Sequence, residues 1–485
     1  MTAIQVVIIG SGFGGQCAAI NLLKAGMQDF CLLERRDFMG GTWCQNSYPG
    51  AAVDVQSPLY SISHEPYAWS QMFAEQAELQ QYTNHVIEKY QLRDKTITGC
   101  NVTRIEWDAD SQRWHVHTEH KGVFVAQFVI NASGPLSTPV IPNFKGRDRF
   151  AGKTFHTNNW DHSYDYRGKR VAIIGSGASA AQVIPAIAAD VGHLHVFQRT
   201  PHWVMPRPDY QFSPLQQKLI GNKALHKAVR TAVYWNLETR VIGFKYSQTL
   251  LNLVAQKAAL KHIETQIADP KLRAAVTPDY TIGCKRIILS NTLYPALARP
   301  NVTLHSKDSA IASMDETGIH TTDGQHVELD LIIYSTGYDA TDGVISYPVV
   351  GKKGQTLQDF WQEFPRAYLG TTIPNFPNFF VVTGPNTGIG HTSAIFVIEA
   401  QMNYIMQALG AVQTQGKQAI DVSAAAENDY TQMIHREMKK TVWQNGGCQS
   451  WYQSKSGHVI AMFPGFSFTY RQMAKRFQPK HHIFS

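Results

Sequence analysis

Twice in this 485-residue chain a short apolar run breaks into closely spaced glycines and then resumes as a helical pattern, and no other feature limits the fold so strongly. Residues 4–9 form the first run, too short for a helix, and end in Gly10-Ser11-Gly12-Phe13-Gly14-Gly15. Residues 17–23 then show helical spacing that stops near Gly26, and a second apolar run, residues 30–33, ends at Glu34. Strand, glycine turn, helix, strand and acid in that order define a dinucleotide-binding unit. Gly10 permits the tight turn, Gly12 lets backbone approach a pyrophosphate, and Gly15 lets helix and strand pack closely. The helix start offers free N–H groups and a positive dipole end to phosphates. Glu34 can accept hydrogen bonds from ribose hydroxyls and would repel a 2′-phosphate.

The second occurrence runs from residues 170–174 into Gly175-Ser176-Gly177-Ala178-Ser179-Ala180 and a helical stretch at 181–189. Alanine at the third glycine position is tolerated by this turn. The strand read at 195–198 ends not in an acid but in Arg199-Thr200. A guanidinium and a hydroxyl there suit the 2′-phosphate of NADP better than they suit a surface salt bridge. The pair of units predicts an α/β fold of two dinucleotide-binding, Rossmann-like domains, FAD in the first and NADPH in the second. Gly175, Gly177 and Ser179 are the expected phosphate-side contacts of the second site.

A chain this long needs more than one core. The connecting segments divide it at 1–145, 146–335 and 336–485, the outer two forming one FAD-binding domain around a central NADPH-binding domain. Residues 108–130 read as a β-meander, and Asp323-Gly324 as a hairpin turn before a strand ending in Gly337-Tyr338. Between about 211 and 280 turn signals thin out, which predicts a helical insertion. Leu250, Leu253, Leu260, Ile263 and Ile267 recur near helical spacing there and are expected in the core.

The formal net charge of +7 is scattered, which argues against a nucleic-acid surface. Lys475, Arg476 and Lys480, with His481 and His482, read as a solvated tail. Six cysteines show no C-x-x-C pair, so reduced thiols in a cytoplasmic enzyme are expected. The start of the chain has no basic segment or cleavage site of a signal peptide, and no uninterrupted apolar stretch predicts a membrane span. His115/His117 and His193/His195 alternate on strands without a third ligand in sequence, and no metal is expected.

Phe150-Ala151-Gly152-Lys153-Thr154-Phe155-His156-Thr157-Asn158-Asn159-Trp160-Asp161 resembles the fingerprint of Baeyer–Villiger monooxygenases. Gly40-Gly41-Thr42-Trp43, Tyr48-Pro49-Gly50 and Asp54 resemble that family's second signature. Cys284-Lys285-Arg286, Gly384-Pro385-Asn386, and Gly446-Gly447-Cys448 with Trp451-Tyr452 extend the likeness along the chain. The segment from Gly384 to Gln401 is similar to the hydroxyacetophenone and methyl-ketone monooxygenase branch. The resemblance implies oxidation of ketones to esters or lactones by NADPH and dioxygen through a C4a-peroxyflavin, with sulfoxidation as a side activity. It places Thr42 and Trp43 at the FAD, makes Arg286 the active-site cation and Asp54 its partner, and puts Arg199, Thr200 and Lys285 at the NADP 2′-phosphate. His156 it places at the domain junction, as a positioning residue and not a general base. The rival readings are an N- or S-oxygenating flavin monooxygenase and a non-catalytic FAD/NADP redox sensor. A disulfide reductase is disfavoured, because it needs a redox cysteine pair.

Overall fold

The computed structural model describes residues 2–340 and 345–485. Its first half builds β1 (Thr2–Ile9), β2 (Phe30–Leu33), β3 (Thr96–Ile97), β4 (Val102–Asp108), β5 (Arg113–Thr118) and β6 (Val123–Asn131). The middle supplies β7 (Lys153–His156), β8 (Arg170–Ile174), β9 (His193–Phe197), β10 (Val302–His305) and β11 (Leu331–Tyr334). Two later strands, β12 (Val349–Val350) and β13 (Phe379–Val381), return to the first sheet.

That sheet runs β12-β4-β5-β6-β1-β2-β3, with β13 also against β6. The meander is present, since β4, β5 and β6 pair antiparallel. It is not a separate layer, however: β6 also lies parallel to β1 and carries it into the same sheet. Val6, Val7 and Ile8 are fully buried, which is why this run is apolar at consecutive positions and not at alternate ones. The second sheet, β10-β9-β8-β11-β7, is parallel throughout. A small antiparallel unit, including Gly318–Thr321 and His326–Glu328 on either side of the Asp323-Gly324 turn, precedes β11.

The insertion after β9 is helical, as expected: Pro214–Gly221, Lys223–Glu238, Gln248–Leu251, Lys257–Gln266 and Pro270–Val276. Local signals start these helices. Ser213 and Gln216 close a capping box, Asn222 caps the second helix, and Asp269 with Pro270 starts the last. The expected core positions need correction. Ile263 and Ile267 are buried, but Leu250 is 44% and Leu253 52% exposed. π-helical turns at Ile242–Tyr246 and Asn252–Gln256 break the 3.6-residue period and rotate those leucines outward.

The C-terminus is not a solvated tail. Strand His482–Phe484 pairs with Ile420–Val422, and buried His482 lies 2.7 Å from the Tyr404 hydroxyl. The cations Lys475, Arg476 and Lys480 nonetheless stay exposed. Helix Ala394–Thr414 is long and apolar enough to cross a membrane, yet 67% of its apolar window is buried inside the protein. It packs against helices Phe13–Lys24 and Ser467–Lys475.

Candidate active site and nucleotide sites

Each glycine turn sits where a strand hands over to a helix. Gly10 has φ +100° and Gly175 φ +125°, and a Cβ would lie 2.6 Å from the Ala132 carbonyl oxygen at the first and 2.2 Å from that of Ser335 at the second. Only glycine fits at either place. Gly12 and Gly177 start helices Phe13–Lys24 and Ala178–Ile187, and neither helix has a side-chain cap or an acid in its first turn. Space beyond Gly177 is open, with no atom within 4 Å of where its Cβ would stand. Uncapped N–H groups facing open space are what a pyrophosphate requires. Gly15 lies against Gly10, where a Cβ would meet the carbonyl oxygen at 2.0 Å. Both turns therefore fit a dinucleotide.

Glu34 directly follows β2, buried, and its Oε2 accepts hydrogen bonds from the Ser11 N–H (3.0 Å) and hydroxyl (2.6 Å). Arg36 N–H donates to its other oxygen. The carboxylate is thus fixed across the glycine turn with lone pairs left for a ribose. Thr42 and Trp43 open a one-turn helix, Thr42–Gln45, whose entry at Gly41 touches Gly12. Trp43 Nε1 donates to the Tyr60 hydroxyl at 3.1 Å.

At the second turn Arg199 and Thr200 follow β9, and Ser176 Oγ donates to the Thr200 carbonyl. Burial and then the Arg199 charge both lower the Lys285 pKa, so two cations from distant segments share this region. Neither makes an ion pair among the described residues. Asp279 offsets the Lys285 shift only in part, and two cations brought together in this way fit a bound phosphate. Ser179, in the first turn of the second helix, also takes part in a long-range contact: Tyr48 donates to its hydroxyl at 3.3 Å and to Gln182 at 3.0 Å. Gln182 in turn donates to the Ala52 carbonyl. These contacts tie the 48–52 loop to the second unit's helix.

Arg286 and Asp54, 232 residues apart, meet through one carboxylate oxygen, with Nε at 2.7 Å and a terminal guanidinium nitrogen at 2.6 Å. Both lie deep in the protein, yet 34% and 31% of their side chains are reachable by solvent, as for groups lining a cleft. Burial acts to raise the Asp54 pKa, but the charge and hydrogen bonds of Arg286 outweigh it and hold the carboxyl below its ordinary value. Asp54 in turn raises the Arg286 pKa. The result is a permanent cation whose partner cannot be protonated near neutral pH. Tyr60 and Tyr452 stand beside the pair, each with its hydroxyl pushed by burial up to about 12.

Within the fingerprint, residues 153–156 form β7, the edge strand of the second sheet, and Asn158 just beyond it reaches Gln45 of the first unit. His156 Nδ1 accepts from the Asn158 N–H, and burial lowers its pKa to about 4, so the ring is neutral. Asn158 donates to the Tyr338 hydroxyl, which donates to Asn46, and Gln45 donates to the Asn158 carbonyl. Trp160 packs edge-on against Phe155 and Tyr166.

Sequence reasoning missed four features. Cys284 and Cys448 form a disulfide across 164 residues, against the expectation of six reduced thiols; the other four are free. No local spacing announces it, because the two meet only when the 446–452 segment folds over the Cys284-Lys285-Arg286 loop. Glu238 lies buried against His391 (3.1 Å) and Ser467 (2.7 Å). Asp315, His320 and His326, none of them weighed as ligands, bring their ligand atoms within 4.8 Å of one another. His305, on β10, comes within 3.0 Å of His195.

Two uncapped dinucleotide turns, one with an acid and one with cations, together with the partly exposed Arg286–Asp54 pair, define a two-nucleotide oxidoreductase. The family model for pyridine nucleotide-disulphide oxidoreductases matches residues 7–249. A Baeyer–Villiger monooxygenase of Pseudomonas aeruginosa is 41% identical over 98% of this chain and 90% of its own length. One from Streptomyces coelicolor is 42% identical over 98% and 91%. The structure of cyclohexanone monooxygenase from Rhodococcus sp. Phi1 bound to NADP+ superposes with a TM-score of 0.90 at 28% identity, covering 100% of this chain and 99% of that one. The chain belongs to the Baeyer–Villiger monooxygenases and is an FAD- and NADPH-dependent monooxygenase.

Proposed function

We propose that this enzyme inserts one oxygen atom of O2 beside the carbonyl of a ketone, giving an ester or lactone, with NADPH as electron donor. The overall balance is ketone, O2, NADPH and a proton to ester, water and NADP+. FAD binds at Gly10, Gly12, Gly15 and Glu34, with Thr42 and Trp43 beside it, in a domain made from residues 1–145 and 336–485. NADPH binds at Gly175 and Gly177 in residues 146–335, its 2′-phosphate held by Arg199, Thr200 and Lys285. When bound, the flavin supplies the electrons and the activated oxygen.

The observation that carries this reading is the Arg286–Asp54 ion pair, with about a third of each side chain still open to solvent. Attack on a carbonyl by an oxygen nucleophile puts negative charge first on the nucleophile and then on the carbonyl oxygen. Arg286 keeps its proton at any working pH and offers planar donors to both positions. Asp54 fixes that fork through Nε and one terminal nitrogen, leaving other N–H groups free for the reacting oxygens. A site that oxygenates amines or thioethers with an electrophilic oxygen has less need of such a cation. The working location is the cytoplasm.

A panel of ketones with NADPH, analysed by mass spectrometry for products one oxygen heavier, tests the proposal, with a thioether run alongside. Sulfoxide without any ester would overturn it in favour of an S-oxygenating enzyme. NADPH consumption without oxygenated product would leave only a redox sensor.

A further inference from the structure

Most of the large apolar side chains that stand exposed lie on the helical insertion. Of the 16 large apolar side chains that stand exposed among the described residues, 10 fall between Tyr210 and Val254. Leu215 is 67%, Val254 62%, Tyr246 60% and Trp235 52% exposed. Part of this surface is one continuous aromatic ridge. Trp235 packs on Phe468, Phe468 on Phe466, and Phe466 on Tyr246, with centroids 5.9, 5.0 and 6.0 Å apart. Monomeric soluble proteins rarely leave apolar surface clustered in this way without a partner.

Its charge is one-sided as well. Lys218, Lys223, Lys227, Lys257 and Lys261 are exposed, while Glu238 is the sole acid of the sequence between Asp209 and Glu264. Glu238 is 1% exposed and held inside by His391 and Ser467. The carboxylates that pair with this segment come from elsewhere in the chain: Glu399 holds Arg230, and Glu437 holds Lys245. The outer face therefore presents lysine, leucine, tryptophan and tyrosine with no exposed carboxylate of its own. Exposed apolar side chains interspersed along the segment with lysines, and with Trp and Tyr among them, match the boundary between headgroups and acyl chains of an anionic bilayer.

The inner side of the same segment adjoins the site. Phe244, between Ile242 and Tyr246, packs so closely on Gly283 that a Cβ there would lie 2.6 Å from its ring. Gly283 directly precedes Cys284-Lys285-Arg286. Phe244 also stacks on Trp443 of the C-terminal part, centroids 6.0 Å apart.

We infer that the insertion docks the enzyme peripherally on an anionic membrane surface, and that the ketones it oxidises are apolar ones taken from that surface. The second half of the inference rests on the proposed ketone oxidation; the first does not. Docking needs no spanning helix: the face lies on the bilayer, held by shallow burial of its apolar side chains and by lysine attraction to lipid phosphates.

Flotation of the FAD-loaded enzyme with vesicles tests it. Vesicles of phosphatidylcholine containing phosphatidylglycerol should carry the enzyme upward at low salt, and those of phosphatidylcholine alone should not. The triple replacement Lys218→Glu, Lys223→Glu, Lys227→Glu should weaken anionic-vesicle binding at least about tenfold. Leu253→Glu with Val254→Glu should weaken it similarly by removing apolar contact. Both variants should oxidise a water-soluble ketone at the wild-type rate without vesicles, which shows that they fold. Anionic vesicles should lower the KM for a long-chain ketone several-fold in the wild type and not in the variants.

Wild-type enzyme that stays down with anionic vesicles, or variants that float as it does, would overturn docking. So would a wild-type dimer in light scattering that Leu253→Glu splits, since the face would then belong to a second copy. A long-chain ketone KM indifferent to vesicles would overturn the substrate class. Failure to oxidise any ketone would remove the catalytic reading and leave the flotation result standing.

Discussion

Replacing Arg286 with alanine separates its catalytic work from cofactor binding. The side chain makes two contacts to a single oxygen of Asp54, at 2.7 and 2.6 Å, and is absent from either glycine turn. FAD content should therefore match the wild type. Breaking a fully buried ion pair costs about 3–5 kcal/mol, but a third of each side chain here is open to solvent, so a stability loss of about 1–3 kcal/mol is expected. Removing one preorganised donor to a developing oxyanion costs roughly 10²–10³ in rate, which sets the scale for ester formation. The variant should still oxidise NADPH in air and release hydrogen peroxide in place of ester. Arg286→Lys keeps the charge but loses the planar fork and should also be impaired, though less. The assay pairs NADPH absorbance with peroxide titration and gas chromatography of the ester. Ester production by Arg286→Ala within a few-fold of wild type would refute the role of this cation.

At the second nucleotide site, Arg199→Ala should raise the KM for NADPH by about tenfold or more while scarcely changing that for NADH, because a charged hydrogen bond is worth about 1.5–3 kcal/mol; equal effects on both would refute the assignment. His156→Ala should retain FAD yet turn over more slowly or leak peroxide, since it loosens the junction at Asn158 and Tyr338; full coupled activity would contradict this. Titration of the denatured, unreduced protein should find four thiols, and six after reduction, whereas six at the outset would exclude the Cys284–Cys448 bond. Burial lowers the pKa of His156, His195, His202 and His226 to about 4. The unfolded chain takes up these protons first, near pH 6.5, so their contribution to stability is complete above about 6.5 and is lost as pH falls toward 4. The melting temperature should drop through that window, and a flat profile would rule the mechanism out.

How much was readable in advance differs residue by residue. β2 and β8 match the apolar runs at 30–33 and 170–174 residue for residue, because both ends of each are marked by turn chemistry or charge. β9 begins at His193, directly after Gly192 and two residues before the predicted strand, because its alternating histidines mask the start of the apolar pattern. Leu250 and Leu253 were misplaced because periodicity assumes one uninterrupted α-helix, and two π-helical turns break it. The place of Ser179 in the turn marks it for the cofactor, but its contact with Tyr48 is invisible in sequence because the two lie 131 residues apart.

By itself the sequence determined the two nucleotide turns, their order and the motifs of the family. Those signals are local: a positive φ, an uncapped helix start or the residue ending a strand is set by neighbours in the chain. Tertiary structure decided what the motifs do together. It brought Arg286 to Asp54, Lys285 to Arg199 and Cys284 to Cys448, and it chose which leucines of the insertion face water. Each of these joins segments far apart in sequence, where side chains meet only after two sheets and the returning C-terminal segment have packed, and no spacing along the chain records that meeting.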